Sequence, residues 1–152
     1  MKEKLDFVRL PIVLILIAFV GRLVMSVMGA SYDVGNRVFS MVILQAHLAL
    51  LWGAWSRAHK GYGAGGAIQV GVLIGLASQI LIFSGTAFSY LTGINTYFNN
   101  PIAITGLPDP VSFGTAMLAR AGGLVANCII SGILASIGYA MAGLIPKERA
   151  QH

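Results

Sequence analysis

The sequence contains few charged side chains. Asp, Glu, Lys and Arg make up only 10% of its 152 residues, whereas hydrophobic residues make up 57%, and the mean hydropathy is +0.80. A soluble domain has about 25% charged residues, so this chain has too few polar side chains to cover a surface in water. Lipid must cover that surface instead, and the composition therefore indicates a polytopic integral membrane protein.

Cysteine and intramembrane acids are also scarce. The single cysteine, Cys128, excludes an intrachain disulfide, and none of the five Asp and Glu residues falls within a long apolar segment. Proton-coupled transport usually depends on an Asp or Glu inside the membrane. Because no apolar segment contains one, the sequence argues against this function. A metal site needs several Cys, His or carboxylate ligands, and we therefore predict no metal site.

Four apolar segments are long enough to cross roughly 30 Å of hydrocarbon at about 1.5 Å per residue. Their approximate bounds are 10–30, 38–56, 67–92 and 113–145, with an outer loop at about 93–112 and with Pro146 ending the last segment. We predict an all-α fold in which residues 1–152 form one transmembrane domain. Because the first two connections are short, the four helices should form an antiparallel bundle.

The basic residues predict the orientation of these spans. Three segments that a four-span topology places on one side of the membrane carry them: Lys2, Lys4 and Arg9; Arg57 and Lys60; Lys147 and Arg149. The outer loop at 93–112 has no Lys or Arg. Since such positive segments stay on the cytoplasmic side, we expect both termini in the cytoplasm and the protein in the plasma (inner) membrane. The net charge of +5 thus reflects topology, and we expect no nucleic-acid partner.

Six polar residues, His47 among them, lie at membrane depth, and the other five are the main site candidates. Because polar groups inside a bilayer are costly, a charged one marks a functional-site hypothesis. Counted along the spans, the candidates share one layer between the midplane and the outer third of the membrane. They are Arg22, Gln45, Gln79, Arg120 and Asn127.

Helical spacing predicts which way these residues face. Ala18, Arg22 and Ser26 fall on one stripe of small residues, so Arg22 should face protein rather than lipid. Gln45 and His47 are two positions apart and must point in nearly opposite directions. His47 and Ser26 are secondary candidates for the site.

Two further secondary candidates lie in the outer connections. Asp33 sits just before the second span and could fold inward, and Tyr97 belongs to the outer loop. That loop is too apolar for an ordinary solvated connection. We expect it either to cover the arginine layer as a lid or to follow the surface as a simple connector.

An arginine inside the membrane needs hydrogen-bond acceptors, and no carboxylate in a span can supply them. A ligand is one alternative acceptor. We therefore hypothesise a small tetraspan protein whose buried electropositive layer binds an anionic or carbonyl-bearing small molecule or lipid. Such a protein could be a channel, a carrier or a ligand-binding subunit, as a homo-oligomer or within a membrane complex.

Two other classes stay open. In a non-catalytic accessory or assembly subunit of a larger complex, the polar residues would only hold helices together. A membrane enzyme acting on a lipid or quinone is a lower-ranked alternative than the accessory subunit, since we assign no catalytic residue. We predict no cofactor, because a bis-histidine haem needs two buried histidines and only His47 lies inside a span.

Overall fold

A computed structural model describes residues 2–144 of the chain. Over this range the chain forms seven helices and no strand. The helices are α1 (Lys2–Phe7), α2 (Arg9–Val27), α3 (Tyr32–Val38), α4 (Met41–Lys60), α5 (Ala64–Thr92), α6 (Pro101–Thr105) and α7 (Phe113–Ala142). The prediction of an all-α fold is therefore confirmed.

Four stretches of helix in the described residues are long and apolar enough to cross a membrane. They are Arg9–Val27, Tyr32–Lys60, Ala64–Thr92 and Phe113–Ala142. Many of the most exposed side chains on them are apolar, with Leu91 77% and Leu118 76% exposed. Such a surface is unsuited to water, and the chain has the features of a membrane protein. Ile145 and Pro146, the predicted end of the fourth span, lie outside the described residues.

The second span is interrupted near its start. The sequence predicts the second span at 38–56, and the structure has the helix α4 from Met41 to Lys60. The connection before it forms the separate helix α3. Phe39 and Ser40 separate α3 from α4, and Ser40 has an extended backbone conformation. Gly61 ends α4 with a positive φ of 62°, which glycine adopts without strain.

Three glycines allow the long helices to approach closely. The most extensive packing joins α5 with α7, α4 with α7, and α4 with α5. A Cβ atom would lie 2.0 Å from the Leu50 carbonyl oxygen at Gly138 and 2.1 Å from the Ala135 carbonyl oxygen at Gly53. At Gly71 it would lie 2.3 Å from the Ser131 carbonyl oxygen. These contacts are with backbone, so a side chain would force the helices apart.

We predict that Gly138→Ala lowers the free energy of unfolding by about 1–3 kcal/mol, because the added methyl group overpacks the contact between α7 and α4. Thermal unfolding in detergent measures the change. Gly122→Ala is the matched control on the same helix, where nothing lies within 4 Å of the new Cβ. Equal stability of the two variants would contradict the close approach at Gly138.

Candidate functional site

Arg22 and Arg120 border one cavity of about 90 Å³ at one end of the molecule. The wall is formed by α2, α3, the first turn of α4, α5, the outer loop and α7. Besides the two arginines, the lining residues are Tyr32, Asn36, Ser40, Met41, Val42, Ile82, Tyr97, Phe98 and Ala103. None of the lining residues in the described part of the chain is acidic. Two guanidinium groups thus share a small space without a carboxylate.

Arg22 is only 8% exposed, so it faces protein, as its stripe on α2 predicts. Its Nη1 donates to Asn36 Oδ1 at 3.2 Å and to the Phe39 carbonyl oxygen at 3.1 Å. The break between α3 and α4 frees that carbonyl, because Phe39 closes α3 and Ser40 is extended. Nε and Nη2 of Arg22 form no further hydrogen bond of standard geometry within residues 2–144, although the Tyr32 side chain lies close enough to interact with this guanidinium.

Aromatic rings surround the same guanidinium. Its central carbon lies 5.6 Å from the Tyr32 and Tyr97 ring centroids and 5.8 Å from the Phe98 centroid. Ring faces carry partial negative charge and attract cations within about 6 Å. The three rings therefore stabilise the positive charge of Arg22 without neutralising it.

Arg120 is held by three neutral oxygens. Its Nε donates to Thr86 Oγ1 at 3.1 Å, its Nη1 to the Ala103 carbonyl at 3.0 Å, and its Nη2 to the Phe98 carbonyl at 3.0 Å. The acceptors come from α5, α6 and the outer loop, so Arg120 connects that loop to α7. All three are uncharged, and the cationic charge stays uncompensated within this set.

The outer loop packs into the bundle next to these arginines. Tyr97 and Phe98 are 4% and 2% exposed. The backbone N–H of Tyr97 donates to Ser26 Oγ at 3.0 Å, and the Tyr97 hydroxyl donates to the Ala30 carbonyl at 2.7 Å. Gly35 leaves the space for the ring, since a Cβ there would lie 2.0 Å from Tyr97 Cε2. Ser26 and Tyr97 therefore position the loop over the cavity.

The predicted amide residues form a different cluster. Gln79 Nε2 donates to Gln45 Oε1 at 3.0 Å, and Gln45 Nε2 donates to Ser131 Oγ at 2.7 Å and to the Asn127 carbonyl at 3.3 Å. This cluster joins α4, α5 and α7, and none of its members lines the cavity. The side chain of Asn127 bonds only its own helix, at the Gly123 carbonyl. The five main candidates thus divide into an arginine pair and an interhelical amide cluster.

Two secondary candidates lie away from the cavity. His47 is exposed on the face of α4 opposite buried Gln45, and its Nδ1 lies 2.8 Å from the Ile43 carbonyl oxygen of the same helix. Asp33 lies on the exposed side of α3. Asn36, one turn later, provides the oxygen that contacts Arg22.

Sequence reasoning missed several groups of the site. Asn36 and Thr86 are ordinary polar residues without a distinctive spacing, and the Phe39 carbonyl is a backbone atom with no sequence signal at all. Tyr32 and Phe98 could have been found as aromatic residues in the two connections that flank the arginine layer. Among the described residues, no group of three or more His, Cys, Asp or Glu could hold a metal ion.

The chain matches no protein-family model, no curated protein and no solved structure. An assignment of function therefore rests on the chemistry of the cavity.

We predict that Gln79→Leu lowers the free energy of unfolding by about 0.6–2 kcal/mol, because it leaves the buried Gln45 Oε1 without its donor. Thermal unfolding in detergent measures the change. His47→Leu is the control, since it removes a polar group from the exposed face of the same region and should change stability by less than about 0.5 kcal/mol. Equal losses in both variants would show that the amide cluster does not hold the helices together.

Proposed function

We propose that this protein is a small tetraspan membrane protein whose electropositive cavity binds an anion, or the anionic or carbonyl-bearing end group of a small molecule or lipid. The observation that carries the proposal is the pair Arg22 and Arg120 at one cavity that no acidic residue of the described range 2–144 lines. A channel, a carrier and a ligand-binding subunit all fit this chemistry.

The charge balance favours a ligand. Arginine stays protonated in proteins, and burying two like charges near each other is costly unless an opposite charge compensates them. The hydrogen-bond acceptors of both guanidiniums are neutral oxygens. A bound anion would supply the negative charge that the lining lacks.

The size and donors of the cavity limit the ligand. Its volume of about 90 Å³ is well below the roughly 300–1,000 Å³ typical of sites for whole organic ligands. A small anion, or a carboxylate, phosphate or quinone-like carbonyl group at the end of a larger molecule, fits better. Nε and Nη2 of Arg22 are neighbouring donors, and both could donate hydrogen bonds to one oxyanion in a bidentate contact.

We also propose that the spans form an antiparallel bundle with both termini in the cytoplasm of a plasma-membrane protein. The short connection at residues 61–63 and the excess of basic residues in alternate connections, against Arg37 alone in the other connections, support this arrangement. Loop 93–112, which has no basic residue, would then face the outside together with the cavity that it covers. The anion would enter from that side.

An accessory subunit without a ligand is the second candidate function. It is favoured by Arg120, whose three nitrogens each have an acceptor within the chain, and by the internally bonded amide cluster. In that case the exposed His47 would contact a second copy or another subunit. The two functions differ in whether the purified protein alone binds an anion.

We predict that Arg22→Gln weakens anion binding by about ten- to a hundredfold, the factor expected when hydrogen bonds to a charged group are lost. Calorimetric titration of the detergent-purified protein with inorganic phosphate, sulfate, acetate and a short-chain phosphatidic acid measures the affinity. The comparison of these probes separates a free anion from a lipid end group.

Arg37→Gln is the matched control, because it removes one positive charge from the exposed side of α3. It should leave the affinity within about twofold of the parent value, since exposed charges contribute little. Absence of binding of all four probes to the parent protein, with Arg22→Gln changing only stability, would refute the ligand site and favour the accessory subunit.

A further inference from the structure

A second cavity, of about 590 Å³, lies away from the arginine pair, between the C-terminal part of α4 and α1 with the start of α2. Its lining includes two acids from α1, Glu3 and Asp6, and two basic residues from the end of α4, His59 and Lys60. Leu10, Trp52 and Trp55 contribute apolar surface. The volume falls within the range of about 300–1,000 Å³ that whole organic ligands occupy.

The two tryptophans give this cleft a fixed floor and an open side. Trp52 is 7% exposed, and its indole N–H donates to the Phe7 carbonyl at 2.9 Å, which ties α1 to α4. The Trp55 ring lies 5.3 Å from that of Trp52 and is 44% exposed. Tyr62 holds the other end of α1 through a hydrogen bond of 2.9 Å to Glu3 Oε1.

The charges of the cleft have opposite signs and separate partners. Glu3 accepts from Tyr62, while the Lys60 ammonium lies 6.0 Å from the centroid of the Phe7 ring. Asp6 is exposed and forms no hydrogen bond through its carboxylate within residues 2–144. One cleft thus presents both a negative and a positive group to a ligand.

The position of the cleft indicates lipid. It lies where the candidate spans α2 and α4 have their ends, and tryptophan is typical of such membrane–water interfaces. Leu10, at the start of α2, is 52% exposed and extends the lining onto the apolar surface of that span. A ligand here can keep a charged part in the cleft and an acyl chain along the helix.

We infer that this cleft binds the head group of a zwitterionic phospholipid with a primary amine, of the phosphatidylethanolamine class. Lys60 would contact the phosphate, Asp6 and Glu3 the ammonium group, and Leu10 an acyl chain. A purely anionic head group would meet two carboxylates in the same cleft. A choline head group has no N–H donor for these carboxylates, so the primary amine fits the acids better.

Intrinsic fluorescence can test this site without a label on the protein, because Trp52 and Trp55 are the only two tryptophans of the chain and both line the cleft. The full chain is reconstituted into phosphatidylglycerol vesicles that contain one brominated lipid at a fixed low mole fraction. The brominated lipid has an ethanolamine, choline or glycerol head group. Bromine quenches tryptophan only at short range, so quenching reports occupancy of the cleft.

The ethanolamine lipid should occupy the cleft about two- to fivefold more than the other two, the range that exposed ion pairs supply. Asp6→Asn and Lys60→Gln should each abolish this preference, whereas Asp109→Asn, an acid outside the cleft, should retain it. Equal quenching by the three lipids would overturn the inference, as would a preference that survives both cleft variants. Equal quenching by the ethanolamine and choline lipids alone would overturn the assignment of a primary amine.

Discussion

The buried guanidinium of Arg22 is the constraint on which this end of the molecule depends. A permanent cation that is only 8% exposed must be surrounded by acceptors, since an unsolvated charge is among the most costly groups to bury. The chain meets this requirement with an amide oxygen, a freed backbone carbonyl and three aromatic rings. All of these are neutral, so the requirement for a negative charge is only partly met.

The surrounding structure is arranged to supply these acceptors. The break after α3 exposes the Phe39 carbonyl to Arg22, and the outer loop turns inward so that its Phe98 carbonyl reaches Arg120. Gly35 makes room for the Tyr97 ring that closes the loop against α3. Helix breaks and inward loops are tolerated at membrane depth only where protein or a cavity satisfies the backbone. Here Arg22 and Arg120 donate hydrogen bonds to the backbone carbonyls that the break and the loop leave free. Both arginines line the cavity.

Hydropathy and helical spacing predicted part of this arrangement. They indicated the four spans, the protein-facing side of Arg22 and the opposite directions of Gln45 and His47, because these follow from composition and from 100° per residue along a single helix. They could not separate Arg120 from Gln79, because position along a span gives depth but not the rotation of one helix relative to another. Whether Asn36 or Asp33 faces Arg22 depends on the rotation of α3 about its axis, which the sequence does not give. The Phe39 carbonyl is a backbone atom and carries no sequence signal.

A crystal structure of the protein, purified and crystallised from lipid without added oxyanions, would show whether the arginine cavity holds an anion. We expect non-protein density in the cavity, larger than a single water and within hydrogen-bond distance of Nε or Nη2 of Arg22. A cavity that holds only water, or one filled by a side chain of the protein such as the Asp33 carboxylate, would contradict it.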